Sequence, residues 1–326
     1  MREWGFWTEH KLDLLTRYLD RFTLASKNKA TATVYLDLFA GQVENISRAT
    51  GQLIDGSPVR ALRAHPEFTV VSLFEMPARA TELRQALTRD FPGRDIRVYP
   101  GDCNVSIDAA LADLAEYAWA PTFAFIDQQS TELRWETVVK LAGHKKRSPY
   151  KVELWILFAH AQLPRALGIN RETDEKFALA VDDMLGTTEW RAAYKARRDD
   201  EIDGKQFRYE LTNWLRWRLE KHLGYHHTHA FELLNEKGGP VYSMVFATDN
   251  KAGNDIMSYL YGQAAEEHPK MREQALARAQ GVREEKTGEL GLFPPLPRES
   301  TVAPLKLYKP APPARPYGYQ GQMEPG

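Results

Sequence analysis

Apolar residues recur along this chain in two rhythms. In 7–22 (WTEHKLDLLTRYLDRF), Leu12, Leu15, Leu19 and Phe22 fall on one helical face. Thr8 reads as the N-cap of that helix, with Lys11 in the first turn. A strand-like run, VYLDLFAG (34–41), follows. Strand and helix patterns then alternate: strand at 69–75, helix at 78–91, strand at 96–102, helix at 106–118 with Ser106 as candidate N-cap, strand at 122–127, helix at 135–143 and strand at 151–159. This alternation predicts an α/β fold, a doubly wound, mostly parallel sheet with helices on both faces. The last strand is apolar almost throughout, as strands covered on both faces are. Such sheets bind ligands outside the carboxyl ends of their strands, where the strand order reverses.

The rhythm breaks at 160–224, where Trp, Arg, Glu and Asp accumulate in helical patterns; this reads as a helical insertion. Two β-rich runs, 230–236 and 241–249, are joined by KGG and predict a C-terminal antiparallel hairpin. A long polar helix is expected over 252–287, and a Pro-rich tail expected to stay off the core begins at 293. The chain divides accordingly into an N-terminal helix (1–33), a nucleotide-binding core (34–159), the insertion (160–229), closing strands and helix (230–292) and the tail (293–326).

Composition narrows the classes. The 326 residues are 43% hydrophobic and 27% charged with a formal net charge of −1, which fits a soluble globular chain and demands neither nucleic acid nor membrane. With Cys103 as the one cysteine, an internal disulfide and a multi-cysteine zinc site are excluded, and a reduced, cytoplasmic setting is expected. No apolar run approaches the ~20 residues of a membrane span. The charged N-terminus lacks a signal-peptide pattern. No phosphate-binding G-x-x-x-x-G-K loop occurs.

Candidate chemistry gathers at the strand ends: Asp37 and Gly41 after the first strand, Glu75 after the second, Asp102 after the third and Asp127 after the fourth. An acid at the end of the second strand suits two ribose hydroxyls. Asp102 is suited to accept an adenine amino proton, Asn104 to add an amide contact, and Gly41 to let backbone approach a ligand. Cys103 has no basic neighbour in sequence and reads as a small side chain lining the pocket. Ser57, in DGSP, opens a short helix with proline at its first position, whose N-terminus would favour an anion such as a cofactor carboxylate.

Weaker signals have plainer readings. His226, His227 and His229 lack an acidic or cysteine partner at ligand spacing, so no metal is expected. Lys145, Lys146, Arg147 and Lys151, and the helix carrying Trp214, Arg216, Trp217 and Arg218, are either a nucleic-acid grip or solvated cations beside a core tryptophan. A Mg²⁺ nuclease built on the clustered carboxylates is a further alternative.

The chain resembles the three-Cys-motif partner proteins, a bacterial family with a methyltransferase-like Rossmann fold. The resemblance lies in WTEHKLDLLTRYL (7–19), YLDLFAG (35–41), DGSPVRAL (55–62), LFE (73–75), GDCN (101–104), FAFIDQQSTELRWETVVKLA (123–142) and MVFATDNKAGNDIM (244–257), in order over roughly 7–260. It implies S-adenosylmethionine as cofactor: Asp37, Phe39 and Gly41 match the first motif, Glu75 the second and Asp102 the third. Asp127 stands where the fourth motif faces the methyl acceptor, with Gln128 or Gln129 accepting from an acceptor amine. Lys11 matches a family lysine. A separate cysteine-motif protein is the implied partner, and nucleic acid or protein the implied acceptor. Two departures stand out. AGQVENISRATG replaces a Gly-rich turn, so that Gln42 and Val43 would narrow the pocket, and DQQS (127–130) replaces Asp-Pro-aromatic-Gly. These favour the alternative of an inactive methyltransferase-fold adaptor in a bacterial modification or defence system. The long interval from Asp37 to Glu75 requires a loop or extra helix at 42–64.

Overall fold

The computed structural model describes residues 3–48, 51–146, 148–169, 172–235, 237–287, 308 and 311–321; the side chains of Glu3 and of 274–287 are outside that description. The elements, in chain order, are β1 (Glu3–Trp4), α1 (Phe6–Ser26), β2 (Val34–Asp37), β3 (Glu44–Ser47), β4 (Leu53–Asp55), α2 (Ser57–Leu62) and β5 (Val70–Glu75). Next come α3 (Pro77–Asp90), β6 (Asp95–Pro100), α4 (Cys103–Asp113), β7 (Thr122–Ile126), α5 (Trp135–Gly143) and β8 (Glu153–Phe158). Then follow α6 (Leu163–Ala166), α7 (Glu175–Leu185), α8 (Arg191–Arg198), α9 (Gly204–Lys221), β9 (His227–Leu234), β10 (Pro240–Thr248) and α10 (Lys251–Thr287).

Seven strands form one sheet in the order β6-β5-β2-β7-β8-β10-β9. The first five run parallel, and β10 is antiparallel to both its neighbours. This is a mostly parallel, Rossmann-like α/β sheet closed by an antiparallel hairpin, as the alternation and the KGG turn predict. Every residue of β2, β5, β7 and β8 is buried. Alternate side chains feed two cores. Val34 and Leu36 of β2 join a cluster with α4, α5, α7, α8 and α9, whereas Tyr35 joins α1, α2, α3 and α10 on the other face. The order reverses at β2, so β5 and β6 run one way from it and β7 and β8 the other. The carboxyl ends of these strands therefore flank a crevice.

Three expectations need correction. First, the interval 42–64 is not a loop or a lone helix. β3 and β4 form an antiparallel pair that adds β1 in parallel, giving a three-stranded sheet, with α2 after it. β3 reads ENIS and β4 reads LID, too short and too polar to signal strands. Second, two helices begin earlier. α1 starts at Phe6 after Gly5, with Thr8 inside the first turn. α4 starts at Cys103 with Asp102 as N-cap, accepting from the Asn104 amide, while the Ser106 hydroxyl bonds back to the Asp102 carbonyl. Third, part of the tail joins the fold. The Asn213 side chain bonds both the carbonyl and the amide of Ala314, Arg216 donates to the Ala311 carbonyl, and Tyr319 packs edge-on against Trp214 and Trp217. The aromatic anchors Tyr308, Tyr317 and Tyr319 offset the looseness of the proline-rich backbone. Residues 293–307 of the tail lie outside the described residues.

Candidate functional site

A cleft of about 970 Å³ opens at the carboxyl edge. The ends of β2, β5, β6, β7 and β8 form its floor, and β1, the start of α1 and β3 form its far wall. Phe39, Gly41, Glu75, Asp102, Cys103, Asp127, Gln128, Gln129, Lys11 and Ser57 all line it. Gln42 lines it without filling it, and Val43 packs into the core beside β1 instead.

Glu75 is held rigidly. One carboxylate oxygen accepts the Gly41 amide at 2.7 Å, and the other accepts the Met76 amide at 2.9 Å and pairs with Arg79 at 2.9 Å. Gly41 turns toward Glu75 with φ +67°, a conformation L side chains rarely adopt. Three of the carboxylate's roughly four acceptor positions are therefore filled. One carboxylate position is open, and a second opens when the half-exposed Arg79 moves away. Asp102 is exposed, and its second oxygen is open to a ligand. Phe74, Met76 and Cys103 supply apolar surface between these two acids. Burial pushes the Cys103 thiol up to about 12, so it is a packing group without nucleophilic character at neutral pH.

Four sequence candidates, Asp37, Ser57, Asn104 and Gln128, are engaged in structure. Asp37 is fully buried beneath the turn after β2, where it accepts from the Phe39 amide and the Tyr35 hydroxyl and bonds to the Ser57 side chain. Burial raises its pKa to about 7; the Asp127 charge adds to the rise and the Ser57 bond opposes it. Ser57 and Asp37 thus brace the floor of the cleft. Asn104 uses its whole amide. It donates to Asp102 and to the Glu132 carbonyl, and accepts from the Arg134 amide and the Thr137 hydroxyl, tying α4 to α5. Gln128 accepts from the Leu133 amide and donates toward the Met184 sulfur, which fixes the loop after β7. Gln129 is exposed and reaches solvent.

The centre of the cleft is an ion pair between Lys11 and Asp127; the Lys11 side chain is 5% exposed and that of Asp127 21%. The Lys11 ammonium also lies 6.0 Å from the ring centres of Trp4 and Phe125. Tyr242, at the start of β10, is buried with its hydroxyl unpartnered, and burial raises its pKa well above the ordinary tyrosine value, with the Asp127 charge adding to the rise. Asn45 on β3 is 1% exposed, and neither atom of its amide has a partner; the Gln42 side-chain carbonyl is likewise unpaired. A buried polar atom left unpaired costs about 1–3 kcal/mol. Enclosed ordered water is the usual partner of such groups. Sequence reasoning missed Trp4, Trp7, Asn45, Arg48 and Tyr242, because their place depends on the β1–β3 pairing and on β10 entering the sheet in reverse.

Several of the weaker signals have partners within the fold, and Arg147 lies outside the described residues. Arg216 is buried against Thr228 and the tail, and Arg218 lies over the Trp135 ring. Lys151 pairs with Asp249. His229 bonds Asn254, and His226 faces Asp249. Among the described residues no group of three or more His, Cys, Asp or Glu side chains is arranged to hold a metal ion, and no helix is long and apolar enough to cross a membrane. Compared with known proteins, the chain matches no family model and no curated protein sequence.

Proposed function

We propose that this chain is an S-adenosylmethionine-dependent methyltransferase-like protein. The observation that carries the reading is the convergence of Glu75, Asp102 and Asp127, from the ends of three parallel strands, on one cleft large enough for an adenosyl cofactor. Glu75 would hold the ribose, Asp102 the adenine amine, and Phe74 and Met76 the ring faces. The bound cofactor would supply an electrophilic methyl group. The chain's own part is to align the acceptor and exclude water. Lys11 fixes the Asp127 carboxylate, which then orients an acceptor N–H toward the cofactor side of the cleft. The resemblance to three-Cys-motif partner proteins supports this reading and adds a separate cysteine-motif protein as partner. The lone buried thiol suits a cytoplasmic setting.

The alternative is an adaptor that keeps the pocket without the chemistry. It is favoured by one observation: the Gln128 amide is tied to Leu133 and Met184, and Asp127 to Lys11, so little of the fourth strand end is free to act. Thermal unfolding with S-adenosylmethionine and with its demethylated product separates binding from its absence. The expected result is stabilisation of the wild type by both, lost in Glu75→Ala. Labelled methyl incorporation into nucleic acid or protein then separates enzyme from adaptor. No stabilisation by either compound would remove both readings.

A further inference from the structure

The cleft lies at the carboxyl ends of the parallel strands; their amino ends form a separate surface at the opposite edge of the sheet. β2, β7 and β8 are parallel neighbours and β10 returns beside β8, so the segments entering the first three and the segment leaving β10 share that edge. The Val34 amide bonds the Pro121 carbonyl, the Lys146 amide bonds the Ala118 carbonyl and the Lys151 ammonium bonds the Gly224 carbonyl, which knits these segments together. Cations gather there. Lys27, Lys29 and Lys146 are exposed, and their ammonium groups have no ion pair among the described residues. The acids of the same edge are already engaged. Asp249 is buried and pairs with Lys151, Glu153 is buried and bonded to Tyr18 and Thr248, and Asp255 pairs with Lys251. Glu116, at the margin, faces Arg97 at 3.9 Å. A chain of net charge −1 thus carries unneutralised positive charge on one edge.

Two aromatic rings stand exposed among these cations, Trp119 at 41% and Tyr150 at 44%. The Trp119 indole N–H is satisfied by the Glu116 carbonyl, which leaves the ring faces as what it offers a partner. Lys146 is held beside Trp119 through Ala118 and lies shortly before Tyr150 in the chain. Lysines interleaved with exposed rings meet phosphates while the rings stack bases. Insertion into lipid would call for apolar residues gathered around the rings, and an acidic peptide would leave the rings unused. From β2 to β10 the edge spans three strand intervals, roughly 14 Å at about 4.8 Å each. That matches about four nucleotide steps at ~3.4 Å.

We infer that the amino edge of the sheet is a docking surface for a single strand of nucleic acid, its phosphates met by Lys27, Lys29 and Lys146 and its bases stacked on Trp119 and Tyr150. Stacking needs unpaired bases, so a single strand is favoured over a duplex. The surface is remote from the cleft, and binding there does not rest on the proposed function.

The test is fluorescence anisotropy of a labelled single-stranded oligonucleotide of about 10 nucleotides, as DNA and as RNA, titrated with the full chain across a salt series. The expected result is binding at about 50 mM salt that weakens with a log–log slope near −2, at about −0.7 for each of three phosphates neutralised. Lys27→Glu, Lys29→Glu and Lys146→Glu combined should weaken binding at least ~10-fold and flatten that slope. The corresponding triple change to Gln is a milder second check with the same direction. Trp119→Ala with Tyr150→Ala should weaken binding on the order of 10-fold and keep the slope. All of these side chains are exposed, so the variants should retain the far-ultraviolet circular dichroism of the wild type, and Glu75→Ala should bind the oligonucleotide unchanged. No binding at about 50 mM salt, binding indifferent to the lysine changes, or tighter binding of a duplex of equal length overturns the inference. Binding of polyglutamate, or of phosphatidylserine-containing vesicles, in place of the oligonucleotide overturns it in favour of an acidic protein or a membrane. S-Adenosylhomocysteine binding, measured separately, decides the proposed function and is untouched by any of these outcomes.

Discussion

The two halves of the cleft are built on opposite principles. Around Glu75 and Asp102 almost every polar group already has a protein partner: Gly41, Met76 and Arg79 hold one carboxylate, and Asn104 holds the other. Around Asn45 and Tyr242, polar atoms are buried and unpaired. The first region is held by protein hydrogen bonds, and the second keeps enclosed polar atoms without a protein partner. Preorganised carboxylates suit a cofactor that is the same at every turnover. Enclosed unpaired amides cost stability instead, about 1–3 kcal/mol for each polar atom left without a partner.

The largest effect is expected at the seam between the halves. Asp127→Ala leaves the Lys11 ammonium buried without its partner and should destabilise the chain by about 3–5 kcal/mol in urea unfolding. Replacing both residues by apolar ones should recover much of that loss. A small effect of the single change would mean that the pair is solvated and that the halves are not joined there.

The pH profile compares the cleft with the far end of the sheet. Burial raises both Asp37, under the cleft, and Glu153, at the start of β8, to about 7. The fold favours the protonated form of each, so their contribution is full below the unfolded carboxyl range near pH 4 and is lost as pH rises through about 7. Glu153→Gln should remove a fall of a few kcal/mol across that window, seen as a flatter stability profile than wild type. Asp37→Asn should do the same. Parallel profiles for variant and wild type would show that these carboxyls are not desolvated.

A smaller effect is expected from the tail. Asn213→Ala leaves the Ala314 amide and carbonyl without their side-chain partner and should cost about 1–3 kcal/mol. The same change should speed proteolytic cleavage beyond residue 310; an unchanged cleavage rate would contradict the docking. The smallest change is Arg79→Ala, which frees a carboxylate position on Glu75 from a half-exposed ion pair worth about 0–1 kcal/mol. S-Adenosylhomocysteine affinity should rise by no more than about 5-fold, and a loss would mean that Arg79 contacts the ligand itself.

The same division separates what the sequence made legible from what it did not. Glu75, Asp102 and Asp127 could be found because they end strands, and the strand rhythm of a buried parallel sheet is strong. Asp37 and Asn104 were found by position, but their bonds face inward: Asp37 ends β2 and points with the pleat, and Asn104 sits in the first turn of α4 facing α5, directions that position alone does not reveal. Asn45 and Trp4 could not be found, since β1 and β3 are short strands whose register depends on a contact about forty residues apart in the chain. Tyr242 carried a signal in hindsight. It is a tyrosine at the mouth of a hairpin strand that enters the sheet antiparallel, so its start lies beside the other strands' ends.

The most direct test of the central claim is calorimetric titration of S-adenosylhomocysteine into wild type, Glu75→Ala and Asn45→Ala. The account predicts one site per chain, weakened at least 10-fold by Glu75→Ala and changed less than about 3-fold by Asn45→Ala. Equal weakening by both, or no binding to the wild type, would contradict it.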